Sequence, residues 1–216
     1  MKKIIVIPLL LSVCLYSNTS TAKNYADCLM KAYPTQIQSV SNNQIKFRNG
    51  SVLLFGTVSN LPFTKKLNNA SVADQLSEVY ALDFHIPKQY EDAGRIRNDD
   101  FFKNMYGSSE SEVRKNMISV PWKPAKSSVQ FTRVNGAARQ LEKVGNEIAL
   151  RPDLSAYVAK SLGSLNYRPI AGTNRMSAHS FGVAIDFQLP ETLHKYWRWD
   201  GCKSEDVICP YPKQLS

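Results

Sequence analysis

The sequence predicts an α+β fold, with helices packed on a small antiparallel sheet, and three observations carry that expectation. Residues 44–55 alternate as a hairpin does: Ile45 and Phe47 are interleaved with Lys46 and Arg48, Asn49-Gly50 offers a two-residue turn, and Val52 to Phe55 returns. Ala138, Leu141, Val144 and Ile148 recur at helical spacing, and Leu154, Tyr157, Val158 and Leu162 do so again after a break. Val183 to Phe187 is a short β-rich run. Strands and helices that follow one another without regular βα alternation belong to the α+β class.

The elements follow in chain order. Lys2 and Lys3, the apolar run Ile4 to Val13 and the small polar stretch Ser17 to Ala22 form an export signal, with Ala22 the expected last residue before cleavage. About ten apolar residues are too few to span a ~30 Å hydrocarbon core as a helix, so no stable membrane anchor is expected. A lipoprotein signal would use Cys14, but bulky Val13 stands where such signals have a small residue. Past the hairpin, Val72 to Tyr80 is read as a short helix, and Ile86-Pro87 as a break. Ser108 to Asn116 is read as a loop or exposed helix, Pro121 to Pro124 as irregular, and Val129 to Phe131 as a strand. Asn135 is placed to cap the helix that follows, Arg151-Pro152 to end it, and Asp153 to start another that stops at Gly163. The expected division is a signal at 1–22, a hairpin plus mixed structure at 23–119, and a functional core at 120–216.

Composition is that of a globular chain: 43% of the 216 residues are hydrophobic and 21% charged. The formal charge is +9, and removal of Lys2 and Lys3 leaves 25 basic against 18 acidic residues, or +7. A basic exported protein suits an anionic surface such as a cell wall, although the same charge also serves solubility. No basic run interleaved with aromatics supports nucleic acid as a partner. Of the cysteines, Cys202 and Cys209 are close enough in sequence to bridge, which leaves Cys28 either a free thiol or the partner of a cysteine not present.

The chemistry concentrates in residues 166–186. His179 stands seven positions before Asp186, with Gly182 and Ala184 between them. Imidazole nitrogen and carboxylate oxygen both ligate zinc at about 2.0–2.2 Å. To reach one ion the chain must turn sharply after His179, which Gly182 permits, and then extend so that Asp186 points to one face. Alone, such a pair reads as a surface or core histidine and a turn aspartate. The full pattern, Ser177-x-His179-x-x-Gly182-x-Ala184-x-Asp186 with Tyr167-Arg168 upstream, resembles the VanY-like D-alanyl-D-alanine carboxypeptidases and L-alanyl-D-glutamate endopeptidases, zinc enzymes that cut peptidoglycan stem peptides. Trp122, the helix at 135–150 and Tyr196 to Trp199 are similar to one secreted subgroup, so the resemblance runs over about 120–200.

That resemblance implies a Hedgehog/DD-peptidase-like fold, a bound Zn2+, and His179 and Asp186 as two of its three protein ligands. It implies that Arg168 binds the peptide carbonyl or the developing oxyanion, with Arg175 the second candidate and Tyr167 beside the substrate; the ordinary reading of Arg168 is a surface ion pair. A guanidinium suits that role because it is always charged and presents a fork of donors. Ser177 is read as a loop cap. The family's third ligand and general base come from a later segment that finds no match after Trp199, so the 120–216 core reads as incomplete at its C-terminus and the chain as a shortened form of doubtful activity. His85 and His194 are the other histidines, and each reads more readily as a solvated or packed side chain than as a ligand. Trp197 and Trp199 read first as core residues and second as a stacking face. The expected activity is zinc-dependent hydrolysis of a stem-peptide bond in the periplasm or outside the cell; the alternative is an inactive relative that holds peptidoglycan without cutting it. Oligomeric state and the choice between carboxypeptidase and endopeptidase stay open at this level.

Overall fold

The computed structural model describes residues 21–78 and 94–188, and over these the fold is α+β: seven α-helices with small antiparallel sheets and no closed barrel. Helix α1 (Thr21–Ala32) leads into a meander of β1 (Ile37–Ser41), β2 (Gln44–Phe47) and β3 (Val52–Leu54). Asn42 and Asn43, at φ of 50° and 60°, make the tight turn between β1 and β2. Two consecutive positive-φ residues define a type I′ turn, whose twist matches that of the strands. The β2–β3 connection corrects the expected two-residue turn. Gly50 alone has positive φ, its N–H donates to the Phe47 carbonyl (3.0 Å), and the Phe47 N–H donates to Ser51 (2.9 Å). That is a three-residue loop with a glycine bulge. The Asn49 side chain accepts from the Ser51 N–H (3.0 Å), a local bond that holds Asn49 away from the left-handed region.

Helices α2 (Phe63–Asn69), α3 (Val72–Ser77), α4 (Asp99–Tyr106) and α5 (Glu110–Lys115) follow. Thus α3 realises most of the helix read at Val72 to Tyr80, and Ser108 to Asn116 holds a helix capped by Ser109. Tyr80 and Ile86-Pro87 lie outside the described residues, as do residues 1–20 of the expected signal, His85, His194, Trp197, Trp199, Cys202 and Cys209, while Thr21 and Ala22 already belong to α1. Among the described residues no helix is long and apolar enough to cross a membrane. Cys28 is disulfide-bonded, which corrects its reading as an odd thiol.

The α3 capping box encloses a charge. Asp74 is 1% exposed, and its carboxylate accepts from the Ser59 N–H (2.8 Å), the Ser59 hydroxyl (3.0 Å), the Ser71 N–H (3.0 Å) and the Ser71 hydroxyl (2.9 Å). Burial pushes its pKa up, and the hydrogen bonds from Ser59 and Ser71 together outweigh that and bring it below the usual value. A depressed folded-state pKa contributes stability that is present above the unfolded value of about 3.9 and lost as pH falls through the folded one. Asp74→Asn places an amide N–H₂ among those donors and is expected to cost about 1–3 kcal/mol at pH 7. Urea unfolding at pH 7 and pH 3 checks this: the difference between wild type and variant narrows at the lower pH.

β4 (Met117–Trp122) and β5 (Ser127–Thr132) form a ribbon in continuous register from Met117↔Thr132 to Trp122↔Ser127, closed by a 3₁₀ turn at Lys123–Ala125. Residues Pro121 to Pro124 are therefore strand end and turn, not irregular chain. A two-stranded ribbon has an outer edge on each strand, where a proline without an N–H loses no ladder bond. β5 contains the predicted Val129 to Phe131 strand. Helix α6 (Ala137–Ile148) is the predicted 3.6-period helix, but Asn135 does not cap it: Asn135 sits at φ 52° inside a preceding 3₁₀ turn, and Gly136 takes the cap position. Helix α7 (Pro152–Val158) begins one residue before Asp153, because proline's fixed φ suits a first helical turn. It ends at Val158, and Leu162 lies instead on β6 (Ser161–Gly163). β6 pairs with β7 (Asp186–Phe187), shorter than the run expected from Val183.

Three apolar clusters hold the described elements, a small one at Leu67, Ala70 and Ile96 and two larger ones that frame the site. The first of the larger two joins Leu29, Ile37, Ile45, Phe47, Phe101 and Phe181, among others. The second joins Val120, Trp122, Val129, Phe131, Ala137 and Ala138, with Ile185 and Phe187 packed on it. The chain from Phe181 to Phe187 therefore passes from one core to the other, and the site lies on that crossing.

Candidate metal centre

Ser177 starts the crossing. Its hydroxyl accepts from the His179 N–H (3.3 Å) and caps a 3₁₀ turn, Ala178–Phe181, as its sequence position implied. Phe181 is fully buried, its ring 5.3 Å from Phe102 and 6.2 Å from Tyr106, so the turn is anchored in the first core. Gly182 closes the turn at φ 65°, its N–H donating to the His179 carbonyl (3.2 Å) and its carbonyl accepting from the Thr132 N–H (3.1 Å). A Cβ at Gly182 would overlap the Met117 thioether. The flexible Met117 end can swing aside, so Gly182→Ala is expected to cost about 1–2 kcal/mol through the left-handed backbone alone, read by urea unfolding. Beyond Gly182 the chain extends, Ile185 and Phe187 pack on the second core, and Asp186 between them turns outward, 67% exposed. This is strand alternation applied to three residues.

These constraints bring His179 and Asp186 together. His179 Nε2 lies 3.3 Å from Asp186 Oδ2, and His179 Nδ1 lies 3.2 Å from the Ser164 carbonyl oxygen. A carbonyl only accepts, so Nδ1 carries the proton and donates to it. With that tautomer the Nε2 lone pair faces the Asp186 carboxylate, and a metal ion placed between them would be held by both. Two ligands held about 2.0–2.1 Å from a tetrahedral zinc stand roughly 3.3 Å apart. The Nδ1–H to backbone carbonyl bond is also the usual second contact of a metal-ligating histidine. His179 and Asp186 thus fit the donor set of a zinc ion and remain open to solvent on one side. Among the described residues no third His, Cys, Asp or Glu joins them.

The other expected site residues lie on the segment leading to the turn. Residues 168–176 form a narrow loop closed by a Pro169↔Met176 bridge and by the Ser177 N–H donating to the Arg168 carbonyl (3.0 Å). Ser180, fully buried, donates to the Arg168 carbonyl (2.8 Å), and its oxygen accepts from the Arg168 N–H (3.0 Å). The backbone of Arg168 is therefore tied to the residue next to His179. Its guanidinium is exposed, and Nη1 donates to the Pro169 carbonyl (3.3 Å). Arg175 is partly buried, and its Nε has no hydrogen-bond partner among the described residues. The Tyr167 hydroxyl donates to the Ser108 carbonyl (2.9 Å), which ties this segment to the start of α5.

Four contributing residues were missed from sequence. Ser164 acts through its carbonyl, which has no residue-type signature. Ser180 occupies a variable position of the motif. Arg97 and Asp99 grip Met176 from nearly eighty residues away, a pairing that no local pattern encodes. An open cleft of about 400 Å³ near Lys103, Lys115 and Arg133 contains none of the site residues. No family model matches the chain, and no curated protein or solved structure is detectably similar to it.

Proposed function

We propose that this chain is an exported zinc-dependent peptidase acting on peptidoglycan stem peptides, with His179 and Asp186 as two of the protein ligands. One observation carries the reading: an oriented imidazole and an exposed carboxylate stand a tetrahedral edge apart, on the motif that resembles those enzymes. A zinc ion in this place supplies Lewis-acid polarisation of a carbonyl and acidifies water. His179 is held for that task by Ser164. The Arg168 guanidinium, on a loop fastened to Ser180, offers its donors to a carbonyl oxygen gaining negative charge.

A second reading is favoured by the ligand count. Catalytic zinc sites use three protein ligands and keep one position open. Two alone hold zinc weakly, and a protein of that kind would bind cell wall without cutting it. The test is mass spectrometry of a stem pentapeptide ending in D-alanyl-D-alanine, incubated with the protein and one equivalent of zinc. The peptidase reading expects loss of D-alanine, or a cut at L-alanyl-D-glutamate, abolished by a chelator. An intact peptide together with zinc binding well below one equivalent supports the binder, and cleavage that survives chelation refutes both readings.

A further inference from the structure

The loop that presents Arg168 and Arg175 is gripped from the other half of the chain. Asp99, the first residue of α4, splits its carboxylate: Oδ2 accepts from the Met176 N–H at 2.6 Å, and Oδ1 pairs with Arg97 Nε at 3.3 Å. Arg97 Nη2 donates in turn to the Met176 carbonyl. Both polar groups of one peptide residue are thus held by a single ion pair. Both members of the pair are largely shielded, at 17% and 20% side-chain exposure, and the Arg97 guanidinium lies 5.6 Å from the Phe102 ring centroid. The loop's two limbs have separate anchors, Arg168 on Ser180 and Met176 on Asp99 and Arg97. Between them the loop bonds to itself, with the Ile170 N–H donating to the Arg175 carbonyl (2.8 Å) and the Thr173 N–H to the Ile170 carbonyl (3.0 Å).

We infer that Arg97 and Asp99 are positioning residues, an ionic clamp that fixes the 168–176 loop relative to His179 and so sets where its guanidinium groups stand. Their consequence for turnover rests on the peptidase reading; the clamp itself does not. Helix α4 does not need Asp99 for its cap, because the Asn98 side chain accepts from the Phe101 N–H (2.8 Å). A substitution at Asp99 therefore tests the loop and not the helix.

The experiment compares the full chain with Asp99→Ala and Asp99→Asn by amide hydrogen exchange, zinc affinity and peptide turnover. Loss of a charge-assisted bond is expected to speed exchange at Ile170, Met176 and Ser177 by about 10- to 100-fold in Asp99→Ala. Amides of the β4–β5 ribbon are expected to keep their rates. Asp99→Asn falls between, since its Oδ1 still accepts from Met176 but no longer pairs with Arg97. Zinc affinity is expected to stay within about twofold while kcat falls about tenfold at nearly constant KM, the pattern of an interaction made in the transition state. Unchanged loop exchange, or exchange that rises equally throughout the molecule, overturns the clamp. A wild-type protein that binds zinc but does not turn over peptide removes the peptidase reading and leaves the exchange result to decide the clamp alone.

Discussion

His179→Ala is expected to abolish stoichiometric zinc binding, and Asp186→Ala to weaken it at least about 100-fold, with little change in stability. Mutating even the outer-shell partners of metal ligands lowers affinity 10- to 100-fold, so removing a ligand should exceed that range. The asymmetry follows from the geometry. The imidazole is oriented by Ser164 and only 20% exposed, whereas Asp186 is mostly solvated, and water can replace a carboxylate oxygen more readily than a fixed nitrogen. Neither side chain contributes to the apolar clusters, so both variants should unfold near the wild-type urea midpoint. Isothermal titration with zinc gives the affinities. Equal affinity in wild type and His179→Ala would remove the metal assignment.

Trp122→Ala is expected to be the most destabilising single change in the chain, by about 3–5 kcal/mol. Trp122 is 1% exposed, its indole N–H donates to the Val158 carbonyl (2.8 Å), and its ring stacks on Phe187 at 5.3 Å and 24°. It also fits against Gly145, where an added Cβ would come within 2.9 Å of the ring. One side chain therefore joins β4, α6, α7 and β7. Total stabilities of about 5–15 kcal/mol mean that such a loss unfolds a large share of the molecules at moderate urea. Because Phe187 follows Asp186 directly, the variant should lose zinc affinity along with stability, whereas Trp122→Phe, which keeps an aromatic ring and loses the hydrogen bond, should cost less on both measures. A midpoint shift of less than about 1 kcal/mol for Trp122→Ala would contradict this role.

What sequence made legible, and what it did not, follows from the range of the interactions involved. The α6 helix, the β5 strand and the hairpin returning at Val52 were readable because their periods are local. So was the turn at Gly182, whose φ of 65° only glycine adopts cheaply. The convergence of His179 and Asp186 was legible because seven residues, one turn and one strand alternation suffice to bring them together. The Asn135 cap failed because Gly136 next to it takes a left-handed φ at lower cost. The end of α7 failed because Leu162 fits a helical period as well as it fits the strand that pairs with β7, and that pairing is set by tertiary contact. The grip of Arg97 and Asp99 on Met176, and the disulfide at Cys28, depend on which distant segments meet, which no local window contains.

The most direct test is a crystal of the zinc-soaked protein with data collected at the zinc absorption edge. Shared coordination predicts an anomalous peak about 2.0–2.2 Å from both His179 Nε2 and an Asp186 carboxylate oxygen, with Nδ1 still bonded to Ser164. A zinc ion bound elsewhere, or an imidazole and carboxylate drawn into direct hydrogen-bond contact with no metal between them, would contradict it.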